Sequence, residues 1–224
     1  MDVAETDEEQ IEAIKIWWAE NGKSLLLTLV LAIGAVFGYR AWENQALEDA
    51  ETASSLYESM TVPMVGEQII DLSAEIIEST RSVGNQLKID HSETTYAFLG
   101  ALYMAKISVE MNDLESAETE LQWMLDNDVE DTLKPIVLIR LAYVIAAQGK
   151  LEEALSLVSE DQIERNVKAH SSSWYELQGD LYYQLGKMEK ARKAYQRAID
   201  SVSEERLDRT LLAKLEDITY VSAE

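Results

Sequence analysis

The chain of 224 residues contains no cysteine, only two prolines and only nine glycines. Without cysteine there can be no disulfide, zinc–thiolate site, iron–sulfur cluster, cysteine nucleophile or lipidated cysteine anchor. Proline and glycine are too scarce for a turn-rich β architecture. The composition therefore favours helices.

Positive charge is also scarce, with 19 Lys and Arg against 42 Asp and Glu and a net charge of −23. Nucleic-acid binding needs a basic face that meets phosphates, so this balance argues against it. Hydrophobic residues make up 47% of the chain, which is too apolar for a disordered acidic tail. We expect most of the acidic residues to form a solvating outer surface rather than a binding site.

Signatures of catalysis are missing as well. The two histidines, His91 and His170, are isolated in polar stretches, and no metalloprotease, hydrolase or P-loop motif occurs. We therefore expect a protein that is not an enzyme and that has no catalytic residues, metal or cofactor.

Residues 24–42 form a long apolar run whose only charge is Arg40. As a helix with a rise of about 1.5 Å per residue, it would span about 28 Å, close to the hydrocarbon thickness of a bilayer. Trp17 and Trp42 flank the run as interfacial aromatics do. Because residues 1–23 are acidic, unlike a cleaved leader, we predict an uncleaved signal anchor. The alternative is a buried core helix.

The flanking charges bear on orientation. Lys15 and Lys23 precede the run and Arg40 follows it, which favours a cytoplasmic N-terminus while leaving the reverse topology open. Within the run, Gly34 and Gly38 form a G-x-x-x-G pair, a candidate contact with another membrane helix.

The segment before the run has the pattern of an amphipathic helix. Its apolar stripe follows the capping-box spacing of Thr6 and Glu9 and consists of Ile11, Ile14, Trp17 and Trp18. We predict an interfacial helix within residues 1–23, with a bend into the membrane at Asn21-Gly22.

Three stretches of the remaining chain repeat with a period of 37 residues: 112–117, 149–154 and 186–191. Each has a turn residue, an apolar residue two places on and an alanine three places later. A small residue lies upstream of each: Ala105, Ala142 and Gly179. Such a unit is a helix hairpin that must stack on its neighbours to bury its apolar face.

The third copy resembles the tetratricopeptide repeat, with residues at that family's spacing: Tyr175, Gly179, Tyr182, Ala191, Tyr195 and Ala198. Gln178 departs from the usual leucine. The expected fold class is all-α, an N-terminal transmembrane helix followed by a tetratricopeptide-repeat-like solenoid. We place the hairpins at about 98–131, 135–168 and 172–205, after helices within 43–85 and before a capping helix at 204–220.

Of the two helices within 43–85, we expect the first to end at Pro63. The second should contain Ile69 and Ile70 and end near Gly84-Asn85.

By analogy with the repeat family, the first helix of each hairpin lines a concave face. The candidate partner groove would comprise Leu99, Leu102, Lys106, Val109, Ile136, Ile139, Tyr143, Ala146, Ser173, Glu176, Asp180 and Tyr183. Its first two copies are apolar and suit an extended or helical apolar segment better than a C-terminal carboxylate. The alternative is that residues 41–85 fold over these positions and bury them.

The order of parts resembles the YfgM family of Gram-negative inner-membrane proteins, most specifically in residues 9–15, 17–23 and 38–42. The resemblance implies a cytoplasmic segment 1–23, a membrane helix 24–42 and a periplasmic domain 43–224. It also implies a scaffold at the SecYEG translocon that works with the periplasmic chaperone PpiD, with emerging client chains as further partners. The alternative function is a signalling adaptor whose cytoplasmic segment restrains a stress-response regulator.

Overall fold

The computed structural model describes residues 7–62, 73–159, 170–203 and 208–221. In these ranges the chain forms helices and no strand, which confirms the all-α prediction. The helices are α1 Asp7–Thr61, α2 Ala74–Asp90, α3 Thr95–Glu110, α4 Leu114–Asp126, α5 Lys134–Ala147, α6 Leu151–Leu157, α7 Ser171–Gln184, α8 Met188–Asp200 and α9 Arg209–Val221. Contacts divide the chain into two compact units, residues 1–52 and residues 53–224.

The first unit consists of the N-terminal part of α1. This helix is long and apolar enough to cross a membrane, and none of its most apolar window is buried. The side chains of Leu29, Val30 and Leu31 are all more than half exposed. A core helix would hide such side chains from solvent, so the alternative of a buried helix is wrong.

The predicted bend at Asn21-Gly22 is also wrong, because α1 is continuous over 55 residues. The Asn21 amide Nδ2 donates to the Trp17 carbonyl at 3.1 Å, inside the helix. The Trp18 indole lies close against Gly22. A single glycine costs a helix only about 1 kcal/mol relative to alanine, too little to interrupt one of this length.

The second unit begins at Ala53, ten residues after the predicted domain start at 43. The predicted end of the next helix near Gly84-Asn85 is wrong, because α2 continues to Asp90. Gly84 is there for close packing: a Cβ at this position would lie 2.9 Å from Met104 Cγ. Pro63, Ile69 and Ile70 lie outside the described residues.

The three hairpin turns share one geometry. Asn112, Gly149 and Gly186 have φ of 58°, 83° and 70°, the left-handed conformation that glycine and asparagine adopt most easily. In each turn the next residue donates its N–H to the carbonyl five positions earlier: Asp113 to Ser108 at 2.8 Å, Lys150 to Ile145 at 3.2 Å, and Lys187 to Tyr182 at 2.8 Å. This is the Schellman ending of a helix, repeated with the 37-residue period.

The hairpins bury one central core, with a smaller cluster at each end. The central core contains Leu121, Leu141 and Leu181, all nearly inaccessible to solvent. At one end α1 and α2 pack on α3 through Met60, Leu87 and Met104, and at the other α9 packs on α8 through Leu211 and Ile218.

The second helix of the second hairpin, α6, has only seven residues. The Val158 carbonyl just beyond it accepts hydrogen bonds from Trp174 Nε1, at 3.0 Å, and from Gln178 Nε2. Gln178 thus stands in place of leucine because it stabilises the end of the neighbouring helix. Residues 160–169 lie outside the described residues.

Candidate partner-binding groove

A hollow of about 460 Å³ lies between α3 and α5 and is called here the α3–α5 groove. Its walls are mainly apolar, and each helix contributes positions spaced i, i+3, i+4 and i+7, which form one helical face. The lining residues are Leu102, Ala105, Lys106, Val109, Glu110, Leu114, Leu121, Arg140, Tyr143, Val144 and Ala147.

Apolar side chains in the α3–α5 groove remain accessible. Val109 is 44% exposed and Tyr143 is 46% exposed, whereas Leu121 is buried. The charged side chains are two cations and one anion: Lys106 Nζ lies 3.8 Å from Glu110 Oε1, and Arg140 is exposed with no ion pair in the described part of the chain. The groove thus combines an apolar surface with a small excess of positive charge.

Four of the residues expected on the concave face line this groove: Leu102, Lys106, Val109 and Tyr143. Ile139 and Ala146 instead pack against the central core. Leu99 and Ile136 are half-buried, and Ser173 and Tyr183 are exposed, and none of these four lines the groove. On α5 the groove-facing residues are therefore displaced by about one position from the expected set.

Arg140 and Ala147 were missed by the sequence analysis. They lie three residues before and four residues after Tyr143, on the face that Tyr143 already defined. Extending the helical spacing in both directions from Tyr143 would have found both. Glu110 lies four residues after Lys106 on α3, so the same spacing would have found it as well. Leu114 begins α4, and its place in the groove depends on how that helix returns, which the spacing does not indicate.

The third-copy residues Glu176 and Asp180 are joined to the C-terminal helix. Lys214 Nζ, on α9, donates to Glu176 Oε1 at 2.8 Å and to Asp180 Oδ2 at 2.9 Å. The Tyr195 hydroxyl donates to Asp180 Oδ1 at 2.7 Å. These two carboxylates are therefore engaged within the chain, whereas the α3–α5 groove is open.

Three titratable side chains around these carboxylates have raised pKa values. Burial, followed by the hydrogen bond to Asp180, raises the pKa of Tyr195 far above its ordinary value. Burial also raises the pKa of Tyr143, and the charges of Asp180 and Glu176 add to the effect. Partial burial lowers the pKa of Lys214, but its hydrogen bonds to Asp180 and Glu176 outweigh this and raise it overall.

These raised values predict a loss of stability in alkali. Stabilisation from a raised pKa is complete below the unfolded-state value, about 10 for tyrosine, and is lost as the pH rises through the folded-state value. We expect the free energy of unfolding to fall above about pH 10, and Tyr195→Phe to reduce that fall. Denaturant titrations of the full chain in detergent between about pH 8 and 11 would measure it. With Tyr96→Phe as control, an unchanged alkaline loss in Tyr195→Phe would refute this assignment.

The described helices of residues 53–90 pack on another face of α3. Leu87 lies against Gly100, and Met60 and Met104 meet at Gly84. The described residues 53–62 and 73–85 therefore leave the groove open, and the alternative that residues 41–85 as a whole bury it stays a prediction. Residues 63–72 lie outside the described residues.

The remaining candidate residues lie elsewhere. A Cβ added to Gly34 or Gly38 would meet no atom within 4 Å, so both positions on α1 are open to a neighbouring helix.

His91 and His170 are at helix boundaries, at the end of α2 and the start of α7. Among the described residues no group of three His, Asp or Glu side chains is placed to hold a metal ion.

Residues 15–220 match the family model of the tetratricopeptide repeat-like domain. Three curated proteins, each named Ancillary SecYEG translocon subunit, are similar to the chain over most of their length. The protein of Aggregatibacter actinomycetemcomitans is 31% identical over 86% of this chain and 88% of its own. Those of Haemophilus influenzae and Escherichia coli K12 are 28% and 29% identical, over 88% and 90% of this chain and 91% of their own.

Proposed function

Because the chain belongs to the family of ancillary SecYEG translocon subunits, with their tetratricopeptide repeat-like domain, we propose that it is a membrane-anchored protein–protein interaction scaffold at the SecYEG translocon. The observation that carries this proposal is the extent of the match, which includes part of the apolar helix and all three hairpins. A similarity that rested on the repeats alone would cover the hairpins and not the apolar helix.

The structure supports two parts of this role, the membrane anchor and the protein-binding surface. The exposed apolar stretch of α1 is suited to a bilayer, where its side chains would contact lipid. The hairpins supply an accessible groove. An anchored solenoid with an open apolar groove suits the binding of other proteins.

We further propose the topology and the partners. Lys15 and Lys23 precede the membrane helix and Arg40 follows it, which favours a cytoplasmic N-terminus and a periplasmic solenoid in a single-pass inner-membrane protein. In that compartment the solenoid would meet a PpiD-like chaperone and chains emerging from the translocon. Gly34 and Gly38 would face a helix of the translocon or of the chaperone.

Affinity purification of the full chain from gently solubilised membranes tests the proposal. We expect SecYEG subunits and a PpiD-like chaperone to be recovered with the wild type. Gly34→Leu combined with Gly38→Leu should lower that recovery, because leucine prevents close approach of a second helix. Recovery of neither translocon nor chaperone with the wild type would overturn the proposal.

The matched control is Ala32→Leu combined with Val36→Leu, which adds side-chain volume on another face of the same helix. It should leave recovery unchanged. A reporter fused to the C-terminus, active only outside the cytoplasm, tests the topology separately. An inactive reporter would contradict the periplasmic location.

A further inference from the structure

We infer that the α3–α5 groove binds an amphipathic helix of a partner protein, with the apolar face of that helix in the groove and an acidic side chain paired with Arg140. This inference rests on the proposed scaffold function and names the kind of segment that the scaffold takes.

The chemistry of the walls favours a helix over an extended peptide. Both walls are helices, whose backbone groups are already hydrogen-bonded, and most of their groove-facing side chains are apolar. An extended peptide would lose water from its N–H and C=O groups and find few partners in return. A helix bonds its own backbone and presents only side chains, so it can be desolvated at lower cost.

The dimensions agree with this choice. The groove-facing stretch runs from Leu102 to Glu110 on α3 and from Arg140 to Ala147 on α5. At about 1.5 Å per residue, each stretch extends for about 12 Å, or two helical turns. A third helix can lie along two neighbouring helices by placing its side chains in the furrow between them. Val109 and Tyr143, the partly exposed apolar side chains, would contact its apolar face.

The positive charges of the groove favour a partner helix that carries acidic side chains beside its apolar face. Arg140 is exposed and has no ion pair in the described ranges, and Lys106 is joined to Glu110 only at 3.8 Å. A guanidinium can bind a carboxylate through two parallel hydrogen bonds. The nearest acidic residues of the third copy, Glu176 and Asp180, are partly neutralised by Lys214 and therefore repel an acidic partner less.

Designed peptides can test the inference with the full chain in nanodiscs of neutral lipid. The first probe is a helical peptide with leucines at i, i+3, i+4 and i+7 and glutamates on both flanks. The second has lysines in place of the glutamates, and the third has a central proline that breaks the helix. Binding is measured by fluorescence anisotropy, with binding to empty nanodiscs subtracted.

We expect the glutamate peptide to bind more tightly than the other two. Val109→Asp should weaken its binding by about tenfold, because a carboxylate would lie on the apolar surface. Arg140→Glu should weaken it by about fivefold and strengthen binding of the lysine peptide. Both residues are solvent-accessible, so the fold should tolerate the changes.

Two variants outside the groove serve as matched controls. Ile89→Asp alters an apolar side chain on α2 that is 78% exposed, and Arg192→Glu alters an exposed arginine on α8. Neither should change peptide binding by more than about twofold. Equal binding of the proline peptide, or a preference for the lysine peptide, would overturn the inference.

Photo-crosslinking from position 109 in whole membranes separates the possible occupants. Crosslinks to a helix of another protein support the inference, whereas crosslinks to the chain itself or to a second copy overturn it. If the wild type recovers the translocon but does not bind the glutamate peptide, the inference fails and the proposed function stands. If no translocon is recovered, the proposed function fails whatever the peptides do.

Discussion

Replacing Gly179 with alanine is expected to lower the free energy of unfolding of the solenoid by about 3 kcal/mol. The added Cβ would overlap two ring carbons of Tyr195, the side chain that α8 packs against α7. That ring cannot easily move, because it is buried and its hydroxyl is hydrogen-bonded to Asp180. Alanine is favoured over glycine in a helix by about 1 kcal/mol. A net loss of stability on substitution would therefore have to come from the overlap with Tyr195.

Gly84→Ala is the matched control for this substitution. A Cβ at Gly84 also lies close to a neighbour, but that neighbour is the flexible side chain of Met104. The gain in helix propensity should offset the displacement, leaving a change below about 1 kcal/mol. Denaturant unfolding followed by circular dichroism would compare the two variants.

Tyr195→Leu provides a second check on the Gly179 prediction. In the Gly179→Ala background it should cost much less than it does alone, since the smaller side chain relieves the overlap. Additive losses, or equal losses in Gly179→Ala and Gly84→Ala, would contradict the packing argument.

Glu120→Ala is expected to lower the free energy of unfolding by a similar amount, about 3 kcal/mol. Both Glu120 carboxylate oxygens accept hydrogen bonds from Lys88 Nζ at 2.7 Å and so join α4 to α2. The two side chains are only 11% and 13% exposed, and the Lys88 ammonium lies 5.8 Å from the centre of the Trp123 ring. Removing the carboxylate leaves the ammonium charge without its partner in a largely dry setting.

Glu110→Ala tests whether burial is the reason for this effect. It breaks the Lys106–Glu110 pair, which is exposed to solvent, and should cost less than about 1 kcal/mol. The double variant Lys88→Met with Glu120→Leu removes both buried charges and should lose less stability than Glu120→Ala alone. A double variant that loses as much as the single one would show that the ion pair is not the source.

The periodic parts of the fold were predictable from the sequence because they depend on local chemistry. Asn112, Gly149 and Gly186 predict the three hairpin turns, since few other residues adopt a left-handed backbone conformation at low cost. Gly179 was identifiable by its position in the repeat, and its contact with Tyr195 gives the reason for its size. The apolar run within α1 was also predictable as a helix suited to a membrane, because a long apolar stretch with almost no charge is typical of such helices.

Other features depend on tertiary contacts that local patterns do not encode. Gly84 looks like a helix end in sequence, but it lies inside α2 where Met104 of α3 and Met60 of α1 pack closely against it. Glu176 and Asp180 look like an open acidic face until Lys214, more than thirty residues later, is brought against them. The position of the groove on α5 depended on a rotation of about one residue, which spacing alone does not fix.

The continuity of α1 has a consequence for when the solenoid can fold. Its last turns supply Ala53 and Met60, which are buried against Leu87 and Met104 in the first cluster of the solenoid core. A soluble fragment that starts at Pro63 would lack both and would expose the apolar surface that they cover. The first cluster of the solenoid core therefore cannot be completed until the last turns of α1 are in place against α2 and α3.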